Sequence, residues 1–131
     1  MDHFDASHML TFVVAGKGEE SFFMDMQYRN KDIKIMYFVS NPDPEVDPII
    51  SVFVEDPDKN LIHTRLKKSA GLFTVKTRNK GEHKIIFSNI RNKDEKIIQF
   101  AFYNQEEDEQ EQRELDEDFA DFKREMLVQK D

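Results

Sequence analysis

Gly71-Leu-Phe-Thr-Val-Lys-Thr-Arg-Asn-Lys-Gly-Glu-His-Lys-Ile-Ile-Phe-Ser-Asn89 is the stretch on which the fold reading turns. It holds two short apolar runs, Leu72, Phe73 and Val75 and then Ile85, Ile86 and Phe87, on either side of a polar connection. Gly81 ends that connection, and glycine enters positive φ at no steric cost where a chain reverses. Two β-rich runs joined through a glycine-containing loop predict a β-hairpin. The two-residue period of a strand puts Phe73 and Val75 on one face, and Ile85 and Phe87 on one face. A two-stranded ribbon is marginal alone, so these faces need a second layer.

The flanking sequence supplies it. Leu10 to Val14 is apolar, Ala15 to Glu20 is a turn, and Ser21 to Met24 is apolar again, giving strand, turn, strand. The Gly16-x-Gly18 spacing lacks the following helix that a phosphate loop requires. From Ile33 to Val39 alternate residues are apolar, with Ile33, Ile35, Tyr37 and Val39 on one face and Lys34, Met36, Phe38 and Ser40 on the other. This pattern predicts a half-buried strand. Three prolines between Asn41 and Pro48 make a loop. Ile49 to Glu55 and Leu61 to Leu66 form a hairpin around Asp56-Pro-Asp-Lys-Asn60, and Lys96 to Tyr103 is the last strand. Eight strands with no helix between them predict an all-β, eight-stranded antiparallel sandwich. Its core should include Phe12, Val14, Ile35, Tyr37, Ile50, Val52, Phe73, Val75, Phe87 and Phe100.

Composition narrows the class further. The chain has 131 residues, 12 of them Phe, and no Cys, which removes thiol chemistry, cysteine zinc sites and disulfides. No apolar run approaches the ~20 residues of a membrane span. The polar first nine residues read as a leader or cloning remnant, residues 10–104 as the sandwich, and 105–131 as a tail. Residues 1–104 carry 15 acidic and 15 basic side chains, while 105–131 carry 12 and 4, the source of the net charge of −8. A neutral domain with an acidic tail lacks the basic footprint of a nucleic-acid binder, and its tail is repelled by anionic lipid.

Gly71-x-Phe-Thr-Val, followed by Gly81-Glu and Phe87-Ser-Asn, resembles the GOLD (Golgi dynamics) domain. The most similar version is the lumenal domain of the small transmembrane cargo receptors that shuttle between endoplasmic reticulum and Golgi, the endomembrane-protein precursor family. Glu20-Ser-Phe22, the strand from Ile33 to Val39, and Val52-Phe-Val-Glu-Asp-Pro57 fall in the family's order, so the match spans about residues 10 to 103. The resemblance implies a jelly-roll-like eight-stranded sandwich and a role in protein interaction. It also implies a disulfide, at positions that here are Ser21 and Ile86, so that bond cannot form. Without it the sandwich should lean more heavily on its Phe-rich core.

No constellation for chemistry emerges. His3, His8, His63 and His83 lack the spacing of metal ligands, and no Ser/His/Asp set sits in a nucleophile elbow. Asp43, Glu45 and Asp47 lie in one loop and Asp56 and Asp58 in another, separated by a strand that holds them ~20 Å apart, too far for one calcium site. The expectation is therefore no enzyme, no catalytic residue, no metal and no cofactor. No glycosylation sequon is present either.

In the tail, Leu115, Phe119, Phe122 and Met126 are spaced as an a/d seam. They predict a helix over about 108 to 128, the alternative being an acidic disordered tail. Burial of the seam takes place on the chain's own sandwich or against another chain. Acids around it, such as Glu114, Glu117 and Asp121, oppose a homodimer, so the isolated chain should be a monomer or weak oligomer. The expected function is a protein–protein interaction domain of an ER–Golgi cargo receptor or adaptor, whose partners are cargo and sister receptors. On that reading the full-length chain spans the membrane after Asp131 and this portion sits on the lumenal side of the early secretory pathway. The second reading is a soluble docking module of a cytosolic Golgi-associated or lipid-transfer protein, which the missing cysteines and signal favour.

Overall fold

The computed structural model describes residues 9–104, 117 and 120–125. Eight strands follow one another: β1 (Met9–Val14), β2 (Glu19–Met26), β3 (Lys31–Ser40), β4 (Ile50–Glu55), β5 (Leu61–Lys68), β6 (Ala70–Thr77), β7 (Gly81–Ser88) and β8 (Lys96–Asn104). They form two antiparallel sheets, A in the order β1-β8-β3-β6 and B in the order β2-β7-β4-β5. This is the strand order of a jelly roll, in which two Greek keys fold onto each other. Glu117 and residues 120–125 are helical.

The strands lie where the alternation puts them, but the predicted hairpin over Gly71–Asn89 is absent. β6 pairs with β3, from Lys31↔Thr77 to Phe38↔Ala70, whereas β7 pairs with β2 and β4 in the opposite sheet. The chain from Thr77 to Gly81 therefore arches from one sheet to the other. Gly81, with φ of 117°, begins β7 at that arch. A hairpin and an arch share one sequence signature, two in-phase apolar runs and a reversal. What separates them is which edges are already taken. Val75 and Phe87 consequently belong to facing sheets of one core. The β1–β2 turn crosses between sheets too, and among the described strands β4–β5 is the only sequential pair that hydrogen-bonds.

Ile33, Ile35, Tyr37 and Val39 of β3 line the interior with Val52, Val54, Ile85, Phe87, Ile98 and Phe100. At its centre Phe87 meets Phe100 edge to face at 4.8 Å and Phe12 at 5.2 Å. Such pairs add about 0.5–1.5 kcal/mol beyond burial. Phe12 and Phe73, expected among the buried residues, are half-covered at the rim. The other eight of the predicted core residues are buried. β3 departs from the half-buried expectation: Met36, on its outer face, has no exposed surface. Something beyond the two sheets covers it.

Candidate interaction surfaces

Several residues of the organising stretch serve as fasteners. Asn89 is buried and donates from Nδ2 to the carbonyls of Ala15 (3.1 Å) and Asp94 (2.8 Å), while its backbone N–H donates to Gly18 (2.9 Å). It thereby joins the β1–β2 turn to the β7–β8 loop. Lys96, also fully buried, donates from Nζ to Asp94 O (2.9 Å) and Asn89 Oδ1 (3.4 Å). Gly16 completes this joint, because a Cβ there would lie 1.9 Å from the carbonyl oxygen of Lys93. Gly71 has a comparable reason to lack a side chain: an added Cβ would meet Tyr37 Cε1 at 2.5 Å and Arg65 Nε at 2.7 Å.

Among the described residues no three His, Asp or Glu side chains gather in metal-binding geometry. The two acidic loops flank β4 at its opposite ends. Asp56 caps its own turn, accepting from the backbone N–H groups of Asn60 (2.8 Å) and Asp58 (2.9 Å). The Asn60 hydrogen bond is the main cause holding its carboxyl below the usual range. His83 is buried, its Nδ1 3.0 Å from the Gly81 carbonyl. His63 lies flat on Phe73 at 4.3 Å, and burial, helped by the charge of Arg65, lowers its pKa. A cleft of about 450 Å³ beside it is lined by Asp56, Ile62, Lys76 and Arg78. His3 and His8 lie outside the described residues.

The two outer faces differ. On sheet A, Met36, Ala101 and Tyr103 form a second buried cluster, with Met9, Phe38, Leu72 and Phe122 packed against it. Phe122 comes from the helical segment 120–125, where Arg124 pairs with Asp121 one turn along. Of the four seam residues, Leu115, Phe119 and Met126 lie outside the described residues, and Phe122 rests on the chain's own sheet. The outer face of sheet B carries Phe23, 59% exposed, with the Lys84 ammonium 5.9 Å from its ring centroid. Beside it run Ile86 and Phe53, cross-strand neighbours in register. At one end a groove of about 690 Å³ is walled by Ile49, Phe53, Leu66 and Ile90, with Lys67 and Arg91 on its rim. Ser21 and Ile86 stand directly opposite each other on this face, as adjacent members of the β2–β7 ladder. No periodicity signals which outer face will be covered, so sequence reasoning missed the contrast. The apolar residues at outward positions, Met36 and Phe38 against Phe23 and Phe53, were its visible trace.

Among the described residues no helix is long and apolar enough to cross a membrane. The sequence model of the family described as "emp24/gp25L/p24 family/GOLD" matches residues 9–128. No curated protein matches the chain. Among solved structures, the Yersinia pseudotuberculosis-derived mitogen is similar with a TM-score of 0.51 at 8% identity, over 77% of this chain and 87% of that one. PirA is similar with a TM-score of 0.48 at 5% identity, over 76% of this chain and 96% of that one. A carbohydrate-binding module, CBM36 in complex with calcium and xylotriose, has a TM-score of 0.42 at 11% identity, over 70% and 77%. The likeness to the mitogen is one of fold alone.

Proposed function

The chain belongs to the emp24/gp25L/p24 family, and from that premise we propose that it is a non-catalytic protein–protein interaction domain of a receptor or adaptor carrying cargo between endoplasmic reticulum and Golgi. The family serves ER–Golgi transport in the early secretory pathway. The observation that carries the reading within that family is the outer face of sheet B, which no described residue covers. Phe23, Leu66 and Ile90 are each at least half exposed there, around the groove at Phe53. A contiguous apolar patch on a soluble domain, rimmed by polar residues, marks an interaction surface. Protein is the fitting class of partner, because the rim is mixed in charge, with Glu19 beside Lys67 and Arg91. Neither nucleic acid nor a membrane is a partner of this portion. The partners are cargo and sister receptors, and the seam of Leu115, Phe119, Phe122 and Met126 is an oligomerisation element that the full-length, membrane-spanning chain uses with them. For that pairing Phe122 exchanges its contact with the chain's own sheet for one with the partner.

A second reading keeps the fold and moves the compartment. Ser21 and Ile86 stand where the resemblance places cysteines, which favours a docking module on the cytosolic face of the Golgi. Tagging the natural chain in its own cells separates the two. Lumenal placement leaves the domain protected from protease added to intact microsomes; cytosolic placement leaves it digested. In either compartment, deletion of the chain slows the exit of at least one secretory cargo in a pulse-chase. Unchanged transit of the secretome, with the tagged chain away from ER and Golgi, would overturn both readings.

A further inference from the structure

The side of the sandwich where edge strands β5 and β6 lie against each other holds a polar nest that the docking role does not use. Phe73 is its platform. His63 stacks on the ring at 4.3 Å with the planes 6° apart, the Arg65 guanidinium lies 5.6 Å from the centroid, and Tyr37 meets the ring edge-on at 6.3 Å. Tyr37 pairs in register with Gly71, and the missing Cβ is what lets Tyr37 and Arg65 close over the backbone there. Three polar atoms in this nest are buried without a hydrogen-bond partner: Tyr37 Oη, Arg65 Nε and His63 Nε2. No carboxylate pairs with Arg65 among the described residues.

The Tyr37 hydroxyl and the Arg65 Nε–H offer protons, as does His63 in its Nε2–H tautomer; within the nest the only acceptor is the Tyr37 oxygen, to which Arg65 is drawn as a hydrogen-bond donor. Arg65 can only donate. The Tyr37 hydroxyl stays protonated, since burial pushes its pKa up to about 12 against the opposing charge of Arg65 and a side-chain hydrogen bond from it. His63 is held neutral by burial and by Arg65, leaving one ring N–H to give. A part-buried guanidinium with unfilled donors beside it is costly to maintain empty. One small anion with two in-plane oxygens satisfies the cation and its neighbours together. Arg65, His63 and Phe73 are each only partly covered, so the nest lies just under the surface on the β5–β6 side, and its three buried polar atoms come within reach of an anion when the Arg65 side chain swings outward. The cleft on the flank of His63 brings Lys76 and Arg78 against the single acid Asp56, a positive approach.

The geometry points to a carboxylate-binding site at the β5–β6 edge, in which Arg65 and Tyr37 hold the two oxygens, His63 donates to one of them, and Phe73 floors the pocket. The carboxylate belongs to an acidic side chain or a chain terminus. It is a site separate from the apolar face of sheet B, so the two stand or fall independently.

The test is a titration of the ¹⁵N-labelled full chain with sodium acetate against sodium chloride at matched ionic strength and neutral pH. It reads the Arg65 Nε–H and the amides of His63, Arg65 and Phe73. Acetate should shift them saturably and chloride should not. Tyr37→Phe removes the hydroxyl, leaves the fold intact, and should weaken acetate by about tenfold, as loss of one hydrogen bond to an ion does. Arg65→Gln should abolish the shift at the His63 and Phe73 amides. N-acetylglycine and N-acetylglutamate α-amide separate the two sources: the tighter of them names the main-chain or the side-chain carboxylate. A linear response equal for acetate and chloride, inorganic phosphate binding more tightly than acetate, or an acetate affinity unmoved by Tyr37→Phe would each overturn the assignment. If Arg65→Gln fails to fold, the Tyr37→Phe titration decides alone.

Discussion

Met36 and Phe23 hold equivalent places, each at an outward position near the middle of a strand, yet Met36 has no exposed surface and Phe23 keeps 59% of its own. Around Met36 the face of sheet A becomes a second core, where Met36, Ala101 and Tyr103 are packed over by Met9, Phe38, Leu72 and the helical Phe122. Around Phe23 the described contact on the face of sheet B is with Lys84, whose ammonium lies 5.9 Å from the ring centroid. The alternation of a strand assigns a side chain to a face; it does not assign water to that face. A face turns into core when a later segment of chain brings even one large aromatic to it, because burial scales with the apolar area that is covered from both sides. Among the described residues the same jelly roll thus has one covered flank and one left open.

The contrast is most directly broken at Met36. Met36→Ala removes a side chain enclosed by β3, β6, β8 and the helix, and should cost about 2–5 kcal/mol in urea melts. A loss below about 1 kcal/mol would mean the flank of sheet A is not packed as core. The open flank admits the opposite change. Ser21 and Ile86 stand opposite each other across β2 and β7, on the face that no described residue covers. The double variant Ser21→Cys/Ile86→Cys should close a cross-strand bond and add about 2–4 kcal/mol. Melts with and without reductant read the gain, and an oxidised protein no more stable than the reduced one would show that the pair diverges. Phe122→Ala strips the cover from sheet A. Because Phe122 is half-buried, the expected loss is about 1–2 kcal/mol, a fraction of that for a fully buried Phe. The variant should also stay monomeric in sedimentation at low salt. Self-association appearing only in that variant would reveal the outer cluster of Met36 and Tyr103 as a latent dimer surface.

How much of this was legible before the structure can be read residue by residue. The phase of β3, β4, β6, β7 and β8 was visible, since Ile35, Val52, Val75, Phe87 and Phe100 fall on the apolar face of each and all are buried. Sheet membership was not. The reversal at Gly81 looks the same whether β6 and β7 pair or arch, and the competing partner β3 lies some forty residues upstream. The fastening role of Asn89 was equally hidden, because its acceptors come from Ala15 and Asp94, one remote and one local. The nest around Phe73 draws on Tyr37, His63, Arg65 and Gly71, four positions that only the fold brings together. Sequence supplied the faces; topology supplied their neighbours.

The smallest effect is expected at Phe23, and it separates exposure from function. Phe23 contributes little to folding, since most of its ring is already in water and, among the described residues, its specific contact is with Lys84 at 5.9 Å. A cation–π contact at an exposed site is worth about 0.5–1 kcal/mol, partly replaced by hydration when the ring is removed. Phe23→Ala should therefore shift the unfolding free energy by no more than about 0.5 kcal/mol, with the m-value unchanged. The same substitution in the natural chain should slow cargo transit if sheet B is the docking face, because a central aromatic anchor carries a large share of an interface's energy. Stability and transport then part company at one residue. A stability loss above about 2 kcal/mol would mean that Phe23 is covered in solution and that both flanks are sealed. Full stability with full transport activity would place the docking surface elsewhere on the domain.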